Sequence, residues 1–227
     1  GLGVTFLIIV YFLAPQILDG KNPVILSLVV SLAILAFTIY FTYGVNKKSH
    51  AAFAGVVISI LFTFFLAFVA VDIGHLSGQT DDAATFLNVK TEGSLDFSAL
   101  LLGAMIIGIL GVLDDIAITQ ASAVQELSSA AKHFSRKEIF IRALHVGKEH
   151  VSALVNTIAL AYTGAALPLM LLFMHSESSV DMIINRDLFA TEILRIMVGS
   201  IGVVLTVPIT TGLAVIFLVT QNKKQSK

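Results

Sequence analysis

The sequence predicts an all-α integral membrane protein, a bundle of about six transmembrane helices with one cytoplasmic amphipathic helix. Of its 227 residues, 56% are hydrophobic and 13% are charged, whereas about a quarter of the residues in a soluble domain are charged. The apolar residues lie in continuous runs of about 20, the length that a helix needs to cross the hydrocarbon core. The runs lack the strict alternation of membrane β-strands. Composition therefore excludes both an ordinary soluble domain and a disordered chain.

Charge and cysteine content exclude further classes of protein. The chain has 14 Lys and Arg residues against 15 Asp and Glu residues, a net charge of −1, so no basic patch is large enough for a nucleic-acid footprint. It has no cysteine, which rules out a disulfide framework, thiol catalysis and Cys-ligated metals. We predict no nucleic-acid partner, no cofactor and no metal, and the lipid bilayer is the expected partner.

We predict one transmembrane domain over residues 1–227, in which polar segments separate the spans. The first span is at the short limit and no basic segment precedes it, which is not typical of a cleaved signal peptide. A tight turn at 19–23 follows, then a short loop at 46–50, an acidic loop at 76–96 and a basic segment at 125–150. The predicted spans are approximately residues 2–18, 24–45, 51–75, 97–124, 151–175 and 192–220.

The distribution of basic residues predicts the orientation in the membrane. Cytoplasmic segments carry an excess of Lys and Arg. Placing the segments at 46–50 and 125–150 and the C-terminal tail in the cytoplasm puts ten basic residues there and leaves three on the other side. Both termini are then cytoplasmic. The ten are Lys47, Lys48, Lys132, Arg136, Lys137, Arg142, Lys148, Lys223, Lys224 and Lys227, and the three are Lys21, Lys90 and Arg186.

The basic segment at 125–150 predicts an amphipathic helix on the cytoplasmic face, because apolar residues alternate there with charged ones. His145, Glu149 and His150 lie close together in this segment. Their order, H-x-x-x-E-H, matches neither of the zinc motifs H-E-x-x-H and H-x-x-E-H. We interpret the segment as a solvated basic helix without a metal site.

Two adjacent carboxylates, Asp114 and Asp115, interrupt the fourth span. A charge at the centre of a span costs at least about 2.5–3.5 kcal/mol, so a carboxylate there is a functional candidate. Hydrocarbon favours the protonated form of a carboxyl group, and we predict that the pair couples to protons or cations. The alternative is an interfacial pair that holds the register of a helix continuing into the cytosol, since Asp114 lies about 26 Å beyond Phe97.

Further polar residues follow the acid pair along the same helix. Asp115, Thr119, Ser122 and Glu126 are spaced i, i+4, i+7 and i+11, and therefore share one face. A polar stripe on a membrane helix has a high free-energy cost when it faces lipid. We predict that this stripe points to the bundle interior or to a water-filled path.

The fifth and sixth spans also carry polar or helix-breaking residues. Asn156 and Thr163 share a face of the fifth span, where they either line a path or bridge helices. Pro208 lies inside the sixth span and frees a backbone carbonyl, which Thr206, Thr210, Thr211 or a neighbour must satisfy. We predict a kink at Pro208, which is also a hinge candidate.

Two long segments around these residues carry a family resemblance. GVLDDIAITQASAVQEL at 111–127 and HVGKEHVSALVNTIALAYTGAALPLMLLF at 145–173 resemble the YibE/F-like family of bacterial multi-pass membrane proteins. The resemblance covers the fourth and fifth spans and their connection. It implies a multi-spanning protein of a bacterial plasma membrane, with no established activity. It also implies a homo-oligomer, or a hetero-oligomer with a related family member.

A weaker resemblance is architectural. In RND-type permeases and the SecD/SecF export subunits, an acidic residue in one span precedes a helix along the cytoplasmic face and a return span with small and polar residues. Asp114 and Asp115, the segment at 125–150 and the fifth span follow the same order. Those families use proton flux to drive export, which this resemblance implies here only by analogy.

The leading hypothesis is a transport or export component that uses Asp114 and Asp115 for proton or cation coupling. The alternative is a non-transporting structural or assembly subunit of a membrane complex. We do not predict an enzyme, because no nucleophile–base pair or metal signature is present. An aspartyl dyad is disfavoured as well, because adjacent carboxylates on a helix diverge and do not face one scissile bond.

Overall fold

The computed structural model describes residues 2–80, 82–175 and 186–219. Over these residues the chain is all-helical, with 86% of residues in helices and no strand, which confirms the predicted α class. The helices are α1 (Leu2–Ile8), a π-helical segment (Ile9–Leu13), α2 (Ala14–Leu18), α3 (Pro23–Tyr43), α4 (Lys47–Ile73), α5 (Asp82–Lys90), α6 (Phe97–Ala130), α7 (Arg136–Ala165), α8 (Leu167–Met174) and α9 (Asp187–Leu218).

Some predicted features lie outside the described residues. They include most of the loop between the fifth and sixth spans, with Glu177 and Asp181, and the basic tail with Lys223, Lys224 and Lys227. Thr220, the predicted end of the sixth span, lies outside them too.

Four of the described helices are long and apolar enough to cross a membrane, namely α3, α4, α6 and α9. They have 21, 27, 34 and 32 residues, against the roughly 20 that a span requires. The first predicted span is a shorter apolar helix, Gly3–Leu18. These helices support a membrane protein, and the count of six spans stays a prediction.

The segment predicted as a separate amphipathic helix is divided between two longer helices. Its first residues, 125–130, continue α6, and 136–150 continue without a break into the apolar half of α7. A turn at Ala166, before Pro168, ends α7 and starts α8. The charges of 136–150 therefore lie on the same continuous helix as the beginning of the fifth predicted span.

Side-chain caps fix where three of the helices begin. The carboxamide or carboxylate oxygen of a capping residue accepts backbone N–H groups that the first helical turn leaves unpaired. Asn22 Oδ1 accepts from Val24 and Ile25 at 3.0 and 3.1 Å. Asn46 Oδ1 accepts from Ser49 at 3.0 Å, and Asp96 Oδ1 accepts from Ala99 at 2.9 Å.

Pro15 explains the π-helical segment between α1 and α2. Proline has no N–H to donate to the preceding turn, and its ring crowds that turn. The turn just before it widens, so that the Ala14 N–H bonds to the Ile9 carbonyl, five residues back. The first apolar run thus stays helical from Leu2 to Leu18 despite an internal proline.

The chain folds into two compact units. Unit 1 comprises Gly1–Leu32, Thr63–Ile109 and Asn156–Ser200. Its core contains residues of α4, α6 and α9, which are buried together. These residues are Ala67, Val71, Leu76, Leu101, Leu102, Met105 and Val198.

Unit 2 comprises Ala33–Phe62, Leu110–Val155 and Ile201–Lys227. Here α6 buries residues spaced i, i+3, i+4, i+7, i+8 and i+11, which form one helical face. These are Leu113, Ile116, Ala117, Gln120, Ala121 and Val124, all fully buried. In this unit α7 runs antiparallel to α6, because Gly147 lies against Gln120 while His150 lies near Asp115.

The end of α9 is bound to the start of α7 within unit 2. The Arg136 Nε–H and Nη2–H groups donate to the Val219 carbonyl at 2.9 and 2.7 Å. This carbonyl follows the last turn of α9, where backbone acceptors lack helical partners and attract cations. The guanidinium therefore satisfies an orphan acceptor and joins the two helix ends.

Ser135 and Glu138 form a capping box at the start of α7. The Ser135 N–H and hydroxyl both donate to Glu138 Oε2 at 2.8 Å, and the Glu138 N–H donates to Ser135 Oγ at 3.2 Å. Two orphan donors are satisfied reciprocally. The Ser135 backbone N–H, and next its hydroxyl, hold the pKa of Glu138 below its ordinary range, because both bonds favour the charged carboxylate.

We expect Gly147→Ala to destabilise the protein by about 1–3 kcal/mol, the usual cost of overpacking. A Cβ at Gly147 would overlap the Gln120 amide and the Val207 side chain. Gly111→Ala is the matched control, because a Cβ there meets nothing within 4 Å and alanine favours a helix by up to about 1 kcal/mol. Thermal unfolding in detergent micelles measures the stability of both variants. Equal effects of the two changes would contradict the packing of α6 against α7 described above.

We expect Glu138→Gln to lower thermal stability at neutral pH and to have no effect in acid. A carboxylate with a lowered folded-state pKa stabilises the fold above its unfolded pKa, about 4.3 for Glu. That contribution is lost as the pH falls through the folded-state value. The difference between the unfolding curves of wild type and variant should begin to shrink near pH 4.3 and should vanish once the pH is below the lowered folded-state pKa. A gap that persists in acid, or an equal gap for the exposed Glu149→Gln, would refute the role of the capping box.

Candidate functional site

Asp114 and Asp115 lie near the middle of α6, in unit 2. The Asp114 side chain is half-buried, and its Oδ1 atom is buried without a hydrogen-bond partner among the described residues. The Asp115 side chain is 62% exposed. Because neighbouring helical residues point about 100° apart, one carboxylate enters the protein while the other lies at its surface.

The structure places an imidazole beside the acid pair. His150 Nε2 lies 3.9 Å from Asp115 Oδ2, within ion-pair distance but too far for a hydrogen bond. The sequence pattern instead predicts that His150 lies on a solvated basic helix, and it places no cation near the acids. The short connection at 131–135 is the feature of the sequence that could have revealed this contact. Because it joins two long antiparallel helices, it brings residues 115 and 150 to the same level.

The polar stripe is not on the fully buried face of α6 in unit 2, and whether it points to the bundle interior or to a water-filled path stays a prediction. Asp115 and Glu126 are exposed, and Thr119 and Ser122 are half-buried. The buried face of α6 is the other one, which carries apolar residues at helical spacing. Packing of that continuous apolar face against neighbouring helices outweighs the burial of scattered polar groups.

The predicted partners in the fifth span belong to the other unit. Asn156 and Thr163 lie on α7 within unit 1, where Asn156 is exposed and Thr163 is half-buried. Asp114 and Asp115 belong to unit 2. Roles of Asn156 and Thr163 in lining a path or bridging helices stay predictions.

A buried glutamine, which no sequence pattern singled out, is the polar centre of unit 2. Gln120 is fully buried, and its Oε1 lies 2.9 Å from the Thr211 hydroxyl. That hydroxyl also lies 2.7 Å from the Val207 carbonyl, which can only accept. The single hydroxyl proton can go to only one of these two oxygens. The other end of the Gln120 amide, Nε2, is buried without a hydrogen-bond partner among the described residues.

Pro208 lies on the exposed side of α9, which continues as one helix through it. Proline has no N–H group, so Pro208 leaves the carbonyl of residue 204 without its helical donor. The neighbouring threonine hydroxyls bond to other carbonyls. Thr206 donates to Gly202 at 2.8 Å, and Thr211 contacts Val207. Thr210 Oγ1 is buried without a partner among the described residues, and Gly55 leaves room for its side chain. A hinge at Pro208 stays a prediction.

The acid–imidazole arrangement has defined chemistry. A carboxylate stabilises a protonated imidazole at ion-pair distance, and each of the two groups can exchange a proton with water. Asp114 Oδ1 adds a buried acceptor on the helix that carries Asp115. Asp114, Asp115 and His150 therefore combine two acids and a base, the type of group that can exchange protons.

Long apolar helices, one of them with carboxylates at its middle, define a membrane protein. The YibE/F-like protein family matches residues 1–220, and the chain belongs to this family. The family resemblance predicted from the fourth and fifth spans is thereby confirmed. No curated protein and no solved structure matches the chain.

Proposed function

We propose that this membrane protein is a transport or export component in which Asp114 and Asp115 couple movement of a substrate to protons or cations. The observation that carries the proposal is the acid pair at the middle of a 34-residue apolar helix, with His150 Nε2 3.9 Å from Asp115. Charged groups at such a position are costly. Their presence is explained by a function that needs them charged in one state and neutral in another.

The position of the three groups supports exchange between two environments. Asp115 is largely exposed, whereas Asp114 Oδ1 is buried without a hydrogen-bond partner among the described residues. The pair therefore places one carboxylate at the protein surface and one carboxylate oxygen inside the protein. The order of acid span, connecting segment and return span is also similar to that of RND-type permeases and SecD/SecF, which use proton flux.

The proposed setting is a bacterial plasma membrane with both termini in the cytoplasm. The excess of Lys and Arg on one predicted side supports this orientation. The bacterial plasma membrane is proposed from the resemblance of segments 111–127 and 145–173 to a family of bacterial multi-pass membrane proteins.

We expect the proton flux of the double variant Asp114→Asn and Asp115→Asn to be at least about tenfold lower than that of wild type. A tenfold decrease corresponds to about 1.4 kcal/mol in the activation barrier. Amides keep the shape of carboxyl groups but do not titrate. Purified protein in proteoliposomes with a trapped pH-sensitive dye and an imposed potential measures the flux. His150→Gln should reduce it as well, and Glu149→Gln is the matched control on the next residue. Unchanged flux in the double variant would overturn the proposal.

The alternative is a non-transporting structural or assembly subunit, and one observation favours it. The stripe with Asp115 and Glu126 is exposed, and a Cβ at Gly111 on the same helix would meet open space. Polar groups and small residues on a membrane helix are typical of helix–helix interfaces. A second copy of the chain, or a related family member, would cover the stripe and hold the complex together.

We expect a cysteine at Glu126 to cross-link to a partner if the stripe is an interface. The chain has no native cysteine, so Glu126→Cys introduces a single thiol. Ala117→Cys is the control, because Ala117 is fully buried within the protein. Copper-phenanthroline oxidation in native membranes should join two copies of the first variant through their introduced thiols into a dimer, and should leave the second variant monomeric. Only monomer from both variants, with measurable flux from the isolated chain, would exclude the assembly role.

A further inference from the structure

A cavity of about 600 Å³ opens in unit 1 where three helices end or begin. It lies between the first turn of α3, the last turns of α4 and the first turns of α6. Its volume is within the range of about 300–1,000 Å³ that is usual for small-molecule sites. The membrane helices thus leave a space of ligand size at their ends, separate from the acid pair of α6.

The cavity is apolar in its depth and polar at its mouth. On α4, Phe64, Phe68 and Asp72 line it at i, i+4 and i+8, on one face of the helix. Phe64 is therefore about 12 Å deeper along the helix axis than Asp72. The two rings lie 6.4 Å apart, and Val71 and Leu102 complete the apolar wall. This layering fits a molecule with a polar head and an apolar chain.

The mouth carries two carboxylates, Asp72 and Asp96, beside the His75 imidazole and the Asn22 amide. None of the lining residues that the structure describes is Lys or Arg. Asp96 uses one carboxylate oxygen to cap α6, which leaves its other oxygen for a ligand. Two carboxylates without a Lys or Arg side chain in the described lining favour a cation over a phosphate.

We propose that this cavity binds a single-chain amphiphilic amine, with its ammonium group at Asp72 and Asp96 and its alkyl chain along Phe68 and Phe64. Aromatic faces also attract the ammonium group through cation–π contacts. A phospholipid fits less well, because its phosphate would lie against two carboxylates, with no Lys or Arg among the lining residues that the structure describes. This proposal does not depend on proton coupling at Asp114 and Asp115.

The experiment uses the whole chain in phosphatidylcholine nanodiscs, with octylammonium as the probe. Octyl sulfate is the matched anionic control, and empty nanodiscs measure how much probe partitions into the lipid alone. Calorimetry should show saturable binding of octylammonium alone. Affinity should rise about three- to fourfold for each methylene added to the chain. Asp72→Asn with Asp96→Asn should weaken binding about tenfold. The asparagine at 96 still caps α6, and Asp19→Asn is the matched control outside the cavity.

Two results would overturn the proposal: equal binding of octyl sulfate, or no effect of the double variant. If the double variant does not fold, the salt dependence of octylammonium binding to the wild-type protein still tests the proposal. Binding between charges at a partly exposed mouth should weaken with salt, and salt-independent binding of octylammonium would refute the role of the carboxylates.

Discussion

Hydrocarbon offers no hydrogen-bond partners, so each polar group that a span carries into a membrane needs a partner within protein or water. This constraint acts most strongly on α6, which carries polar side chains on two of its sides. On the buried side, Gln120 requires Thr211 of α9 and a glycine at 147 of α7. On the other side, Asp115 faces outward beside His150. The packing of unit 2 and the position of its titratable groups both follow from where α6 can place these side chains.

The sequence predicts the helices well and the contacts between them poorly. Long apolar runs are local, so composition and spacing reveal them. The continuity of α7 was missed because the change from charged to apolar residues near 150 was interpreted as a boundary between two elements, although both halves lie on one helix. Gln120 was missed because its burial depends on three helices meeting, and His150 because its contact with Asp115 depends on the register set by the connection at 131–135. Such contacts depend on packing, which overrides local pattern.

The two proposed sites use different chemistry on different residues. The group on α6 and α7 combines carboxylates with an imidazole, which suits a small ion that binds and leaves quickly. The cavity of unit 1 combines carboxylates with aromatic rings and aliphatic walls, which suits a larger molecule held by burial of its chain. Family membership assigns neither chemistry, so each proposal depends on geometry alone, and one can fail without the other.

The contact between Arg136 and the Val219 carbonyl has a practical consequence for labelling. Because two N–H groups hold this carbonyl at 2.7 and 2.9 Å, the end of α9 cannot separate from the first turn of α7 without breaking both bonds. The chain has no native cysteine, so a fluorophore on a cysteine placed at Val219 would report on the junction of the two helix ends. Replacing the arginine with lysine would keep the charge but lose the two parallel hydrogen bonds, and the signal of the label should then change.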